Sequence, residues 1–154
     1  MGSSSDYIIL EEELMMLVRE RLAAGHAVRY LPFRGVSMLP MLRQGEDSVE
    51  LSPLPLRLRK YDLPVYRYPS GKYVMHRVVA VLEDHYICMG DNTYDYETIY
   101  PEQLVGLVSA FKRGEKRIDV DAPLYRLYSR FWVATFPLRK FLRRVKHWLR
   151  RHLK

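Results

Sequence analysis

Apolar positions near the start of the chain recur at the spacing of an α-helix. Within residues 7–24 they fall three or four positions apart, at Leu10, Leu14, Leu17, Val18 and Leu22. Glutamates at positions 11 to 13 lie where the helix dipole favours negative charge, so the pattern predicts one amphipathic helix over 7–24. We interpret residues 1–6 as a disordered or cloning-derived start that takes no part in the fold.

From about residue 27 to residue 120 the pattern changes to short runs that are separated by turn residues. Strands are predicted at 28–33, 48–51, 63–68, 72–82, 85–89, 104–111 and 116–120. The turn Pro69-Ser70-Gly71 separates two of these runs and predicts a hairpin with a glycine-containing loop. Short strands with such regular punctuation favour a mainly β, partly barrel-like core.

Residues 123–154 return to helical spacing and form a tail of distinct charge. One apolar stripe, which we call the tail stripe, consists of Leu138, Phe141, Leu142, Val145 and Leu149. The segment holds ten Lys and Arg and no Asp or Glu, whereas the other 122 residues have 15 basic and 18 acidic groups. An acidic body with a basic amphipathic tail indicates an anionic partner for the tail, such as nucleic acid, a membrane or an acidic protein.

Length and composition restrict the classes of protein to consider. The chain has 154 residues, of which 48% are hydrophobic and 28% charged, as is typical of one globular domain. Its longest stretch without a charge, 103–111, is far shorter than the roughly 20 apolar residues of a membrane-spanning helix. The single cysteine, Cys88, excludes an internal disulfide and a cysteine-based zinc site. We divide the chain into a β domain with its helix at 7–122 and a helical tail at 123–154.

The first candidate for chemistry is the segment Arg34-Gly35-Val36-Ser37-Met38-Leu39-Pro40. A serine nucleophile needs an exposed hydroxyl on tight backbone, beside N–H groups that can hold an oxyanion. Gly35 permits a close approach of the backbone, and Pro40 ends extended pairing. By itself, however, a serine beside a glycine predicts only a turn.

The second candidate is His76, which lies within the predicted strand 72–82. Alternation along that strand places it on one face with Val74, Val78 and Ala80. A histidine on such a face is commonly a packed core residue. A partly desolvated imidazole beside a serine hydroxyl is nevertheless what general-base catalysis requires.

The third candidate is the segment Gly90-Asp91-Asn92, followed by further acidic residues. On local grounds it predicts an Asx turn. In a functional interpretation, a carboxylate from this region orients His76 through the second ring nitrogen. Asp91 and Asp95 both fit that role, and Glu97 is an open alternative.

Taken together, these segments form an ordered pattern that is more specific than any one of them. Its parts are Gly-x-Ser-Met-x-Pro at 35–40, Gln44-Gly45-Glu46-Asp47, Tyr61-Asp62-Leu63-Pro64-Val65-Tyr66, His76-Arg77-Val78-Val79 and Gly90-Asp91-Asn92. The pattern resembles the superfamily of type I signal peptidases and LexA-like self-cleaving repressors, over roughly residues 27–111. Because a histidine stands where most bacterial members have a lysine, the chain is similar to the Ser-His type, as a small stand-alone member without a transmembrane anchor.

This resemblance implies a mostly antiparallel β fold and a serine endopeptidase that cleaves an extended peptide or precursor protein. Ser37 is then the nucleophile and His76 the base, while Asp91 or Asp95 holds the imidazole. Substrate contacts are expected from Met38, Met41 and Gly35. No metal ion and no organic cofactor are implied.

Two other functions stay open on the sequence. One is a catalytically inactive peptide-binding or maturation-complex protein of the same fold, and the other is nucleic-acid binding through the basic tail. We expect nucleic acid less than an anionic membrane surface, which the amphipathic pattern of 123–154 fits better. The expected location is cytoplasmic, or peripheral on the inner face of the cytoplasmic membrane.

Overall fold

The structure, a computed structural model, describes the backbone of residues 4–152 and the side chains of residues 11–29 and 31–152. Over this range its helices are α1 (Ser4–Ala23), α2 (Pro123–Ala134), α3 (Phe136–His152) and a short 3-10 helix (Pro101–Gln103). Its strands are β1 (Val28–Pro32), β2 (Asp47–Ser52), β3 (Pro64–Arg67), β4 (Tyr73–Met75), β5 (Arg77–Val81), β6 (Tyr86–Met89), β7 (Glu97–Ile99), β8 (Leu104–Arg113) and β9 (Lys116–Asp119). The predicted mainly β fold, with a helix before the strands and helices after them, is confirmed.

All strand pairs are antiparallel, and they form two sheets. The larger sheet has the order β1-β2-β8-β3-β4, and the smaller sheet has the order β5-β6-β7. Strand β8 is long enough to serve three partners. It pairs along one edge with β2, and along the other with β3 near its start and β9 near its end. It is therefore the central strand of the larger sheet.

The predicted strand 72–82 is two strands in different sheets, and this break positions the candidate site. Strand β4 pairs with β3, which confirms the predicted hairpin, whereas β5 pairs with β6 in the smaller sheet. The chain crosses between the sheets at His76, where Val78 N–H bonds to Asp62 O at 2.8 Å. The single face predicted for a continuous strand is thus interrupted at His76.

Helix α1 covers the larger sheet, but the side chains that it buries differ from the predicted apolar face. Met15, Val18 and Leu22 are buried, whereas Leu14 and Leu17 of the predicted stripe are exposed. A β-carbon on Gly106 of β8 would lie 2.7 Å from the Leu22 side chain, so glycine there allows the helix to approach the sheet. The helix begins at Ser4, within the segment assigned to a disordered or cloning-derived start. Residues 1–3 of that segment lie outside the described residues.

Two hydrophobic cores result from this arrangement. The larger core lies between α1 and the larger sheet and also takes in the segment after Ser37 and Tyr125 of α2. The smaller core lies against the smaller sheet and is centred on the fully buried Tyr66. His76 and Arg77 lie where the chain passes between the two sheets, so each can reach a different polar partner.

Candidate active site

Ser37 lies in a tight turn between β1 and β2. Gly35 has a φ of +100°, a conformation that a side chain disfavours, and its N–H donates to Gln44 Oε1 at 2.6 Å. Backbone bonds from Leu39 N–H to Val36 O and from Leu42 N–H to Met38 O close the turn. Ser37 is half-buried there. Among the described residues the backbone N–H groups of Ser37 and Met38 donate no hydrogen bond.

The Gly90-Asp91-Asn92 loop fastens this turn to the smaller sheet. Asn92 N–H donates to Ser37 O at 2.7 Å, and Asn92 Nδ2 donates to Val36 O at 3.1 Å. A β-carbon on Gly90 would lie 2.7 Å from Ser37 O and 3.0 Å from His76 Nε2. Because those distances leave no room for a side chain, Gly90 is what allows the Ser37 turn and the His76 ring to approach each other.

The other nitrogen of the His76 ring is held by a carboxylate. His76 Nδ1 lies 2.9 Å from Glu97 Oε2 and 3.1 Å from the Tyr66 hydroxyl, which itself donates to Glu97 Oε2 at 2.5 Å. An ionised carboxylate only accepts hydrogen bonds, so Nδ1 is the donor in its contact with Glu97 Oε2. The ring proton is therefore assigned to Nδ1. Nε2 then carries the lone pair and lies beside Gly90, 3.0 Å from the position that a β-carbon there would take.

The charge of Glu97 is set by its neighbours. Burial disfavours the charged carboxylate, but the hydrogen bonds from His76 and Tyr66, together with the nearby Tyr68 phenol, outweigh it and lower the pKa of Glu97 to about 2. Burial and the adjacent Glu97 charge raise the pKa values of Tyr66 and Tyr68, so both phenols stay protonated donors. Glu97 is therefore a carboxylate at neutral pH, as an orienting group for His76 requires.

Asp91 has a different role from the one predicted. Its two carboxylate oxygens each accept a hydrogen bond of 2.8 Å from Arg77, and both side chains are almost completely buried. Burial opposes the charge of Arg77, but the attraction and hydrogen bonds of Asp91 outweigh it and raise the pKa of Arg77. The structure thus corrects the assignment of Asp91 as the group that orients His76, because its oxygens are committed to Arg77.

Helix α2 closes over this buried ion pair. Arg77 Nη1 donates to Tyr125 OH at 3.0 Å and to Ser129 Oγ at 2.9 Å. Tyr128 OH donates to Asp91 Oδ2, and Trp132 Nε1 donates to the Asp91 carbonyl oxygen. The loop that contacts the Ser37 turn is therefore held from its other side by α2.

The remaining predicted residues fall into two groups. Met38 and Met41 are buried in the larger core, and Met41 Sδ accepts a hydrogen bond from Arg77. The structure therefore assigns both to packing rather than to an open substrate groove. Asp95 is exposed, and within residues 11–152 the His76 ring bonds to Glu97 and Tyr66 rather than to Asp95. Gly35 lies at the exposed edge of the turn, where its predicted substrate contact stays a prediction.

The sequence left Glu97 as an open alternative and missed Tyr66 as a partner of His76. The three-residue strand β7 shows no alternation, so nothing local indicated that Glu97 would face His76. The strand register accounts for the position of Glu97. Cys88 of β6 pairs with Val78 of β5 on one side and with Glu97 of β7 on the other, so Glu97 lies across the smaller sheet from Val78, which is two positions after His76. Tyr66 reaches the site from the neighbouring sheet, and only the crossing at His76 brings the two together.

The described residues include no cluster of three or more His, Cys, Asp or Glu side chains that could hold a metal ion. Within residues 4–152, no helix combines the length and the apolar character needed to cross a bilayer. Comparisons with models of protein families, with curated proteins and with solved structures find no match for this chain.

Proposed function

We propose that this protein is a serine endopeptidase in which Ser37 is the nucleophile, His76 the general base and Glu97 the orienting carboxylate. The observation that carries the proposal is the arrangement of the His76 ring. Glu97 holds Nδ1 at 2.9 Å, and both Nε2 and the Ser37 carbonyl oxygen lie beside Gly90, 3.0 and 2.7 Å from the position that a β-carbon there would take. Ser37, His76 and Glu97 in these roles correspond to the nucleophile, base and acid of a catalytic triad.

In the proposed reaction, Ser37 Oγ attacks the carbonyl carbon of the scissile peptide bond while His76 Nε2 takes the hydroxyl proton. The resulting oxyanion is stabilised by backbone N–H groups of Ser37 and Met38. When the C–N bond breaks, His76 gives its proton to the leaving amine, and an acyl-enzyme remains on Ser37. Water, deprotonated by His76, then hydrolyses the ester and restores the serine.

Glu97 contributes through the charge that develops on His76. The imidazolium formed during attack lies beside an ionised carboxylate in a mostly buried setting, where the attraction is stronger than in water. The Tyr66 hydroxyl bonds the same carboxylate oxygen and keeps it in place. His76 is therefore held in the tautomer and orientation that a base toward Ser37 needs.

The substrate class follows from the resemblance to signal peptidases and LexA-like peptidases, which bind extended peptide near the corresponding serine. We propose a peptide or precursor protein as substrate, bound beside the exposed Gly35 edge of the Ser37 turn. As part of the same proposal, we place the activity in the cytoplasm or on the inner face of the cytoplasmic membrane.

The test is Ser37→Ala, compared with Ser48→Ala as a control at a half-buried serine of β2. Each protein is incubated with a peptide library, and new termini are identified by mass spectrometry. We expect Ser37→Ala to fall on the order of 10⁶-fold in kcat, as for removal of a triad nucleophile. Ser48→Ala should cleave as the wild type does. Equal turnover by wild type and Ser37→Ala would refute the assignment.

A further inference from the structure

Helices α2 and α3 expose a long apolar face to solvent. On α2 the exposed large apolar side chains are Leu124, Leu127 and Phe131, of which Leu124 is 81% exposed. On α3 all five residues of the tail stripe are exposed, together with Trp148. An apolar face of this size is uncommon on a protein surface and marks a site of interaction.

Helix α3 is oriented in the reverse of ordinary packing, whereas α2 turns Tyr125 and Ser129 to the body. A surface helix normally turns its apolar side to the core and its polar side to water. Here the α3 side chains that contact the body are largely basic. Arg139 donates to Asp91 O, Lys140 donates to Tyr94 O, and Arg143 lies over the Tyr94 ring. The alternative that the tail stripe packs on the β core is therefore excluded for the described residues.

The apolar face continues across the junction of the helices. Pro137 has no N–H to donate, and this accounts for the break near Thr135. Helical hydrogen bonds nevertheless span it, from Thr135 N–H to Phe131 O at 2.9 Å and from Arg139 N–H to Thr135 O at 3.0 Å. Phe131 and Leu138 are seven positions apart, two helical turns, so the faces of α2 and α3 run on from one to the other.

The charge beside this face identifies its partner. Residues 123–154 contain ten Lys and Arg and no Asp or Glu. A groove of about 420 Å³ between α3 and Tyr94 is lined largely by basic side chains, including Lys140, Arg143, Arg144 and Arg151. An amphipathic helix with apolar residues on one side and cations on the other is suited to the boundary between acyl chains and anionic headgroups.

We propose that the α2–α3 face docks on an anionic lipid bilayer, with its apolar side chains in the headgroup boundary and its cations on lipid phosphates. A second copy of the chain fits less well, because pairing two such helices would bring like charges together. Nucleic acid would leave the apolar face in water. Since α2 and α3 hold the loop from Asp91 to Tyr94, docking would bring the candidate active site close to the lipid surface.

The test measures binding of the full chain to vesicles of phosphatidylcholine, with and without phosphatidylglycerol, by co-sedimentation. The variant Phe141→Gln/Leu142→Gln changes two exposed residues of the tail stripe. The control Leu56→Gln/Leu82→Gln changes two exposed leucines of the β domain. We expect binding only with phosphatidylglycerol and at least tenfold weaker binding at high salt. The stripe variant should bind at least tenfold more weakly than the control, with an unchanged circular dichroism spectrum.

Three outcomes would overturn the proposal. They are no binding of the wild type at low salt, equal binding by the stripe variant and the control, or a wild-type dimer in solution that Phe141→Gln/Leu142→Gln converts to a monomer. The assay contains no peptide and does not involve Ser37. Failure of the membrane proposal and failure of the peptidase proposal are therefore separate results.

Discussion

Two neighbouring residues, His76 and Arg77, each pair with a carboxylate, and the two pairs differ in almost every physical respect. In the His76–Glu97 pair the histidine is buried, with a side chain 6% exposed, while the Glu97 side chain is 25% exposed. The Arg77–Asp91 pair is 1% exposed on both sides and is covered by α2. A neutral imidazole has one nitrogen that donates and one that accepts a proton, whereas an arginine only donates and keeps its charge at any pH a protein meets. The first pair therefore has the groups that proton transfer needs, and the second does not.

The Gly90–Asp91 loop takes part in both arrangements, beside the His76 ring and in the ion pair with Arg77. Gly90 leaves the space beside His76 Nε2 and Ser37 O free of a side chain, while Asp91, the next residue, forms the ion pair with Arg77. A buried ion pair adds little net stability over an apolar replacement, but it is costly to break by removing one partner. We infer that Arg77 and Asp91 fix the position of the loop, and that this position brings His76 and Ser37 together.

Among variants that separate the two pairs, Glu97→Gln is expected to have the largest effect, and the effect is on catalysis. A glutamine amide can donate to Nδ1 and so favour the tautomer with the proton on Nε2, which cannot accept the serine proton. An equivalent change in a catalytic triad lowers kcat by about 10⁴-fold, and we expect a loss of this order with little change in KM. The measurements are kcat on any peptide that the wild type cleaves and the ¹⁵N chemical shifts of the His76 ring, which report the tautomer.

Asp95→Asn is the control for Glu97→Gln, because Asp95 is an exposed carboxylate two positions away. It should leave both kcat and the ring nitrogen shifts unchanged. Full activity in Glu97→Gln, together with a wild-type ring that carries its proton on Nε2, would contradict the role of Glu97. The site would then be a serine–histidine dyad.

The second prediction concerns stability, for which we expect the Arg77–Asp91 pair to matter more than the His76–Glu97 pair. Asp91→Asn leaves the Arg77 charge buried without a counter-charge, and loss of one partner of a buried pair costs about 3–5 kcal/mol. At roughly 2–4 °C per kcal/mol for a chain of this size, the melting temperature should fall by about 10 °C. Thermal unfolding followed by circular dichroism measures the effect.

Glu97→Gln is the matched comparison for Asp91→Asn, since both remove one carboxylate charge from an ion pair. We expect Glu97→Gln to lower the melting temperature less, because its pair is partly exposed. If Asp91→Asn melts within a degree or two of wild type, the Arg77–Asp91 pair does not hold the loop. The distinction between the two pairs would then be lost.

The sequence predicted the elements of the fold well where periodicity is strong. The helix before the strands, the helical tail, the hairpin between β3 and β4 and the long strand β8 all follow from local spacing. The strand that contains His76 was predicted as continuous, because its residues are β-formers on both sides of the break. Where a strand leaves one sheet and joins another depends on its partners, and periodicity within the segment carries no record of them.

The candidate site shows the same division. Ser37 and His76 could be selected from their motifs, but their carboxylate could not, since Asp91, Asp95 and Glu97 are equally acidic and close in sequence. The choice was decided by Arg77, whose burial beneath α2 commits Asp91 and leaves His76 to Glu97. That burial depends on Tyr125 and Ser129, which lie about 50 residues beyond Arg77 and show no sign of this contact in their own segment.

The smallest expected effect is a change of stability with acid that belongs to Glu97. The pKa of this carboxyl is lowered from its ordinary value of 4.5 to about 2 in the folded protein. A depressed carboxyl pKa stabilises the fold above the ordinary value, and that stability is lost as the pH falls from 4.5 toward 2. Glu97→Gln has no such group to titrate. Urea unfolding midpoints of wild type and Glu97→Gln, measured at steps from pH 7 to pH 3, should therefore differ most at neutral pH and converge below pH 4.5. A difference that stays constant over this range would mean that the hydrogen bonds from His76 and Tyr66 do not favour the charged form of Glu97. The contact between His76 Nδ1 and Glu97 would then not depend on the charge of the carboxylate.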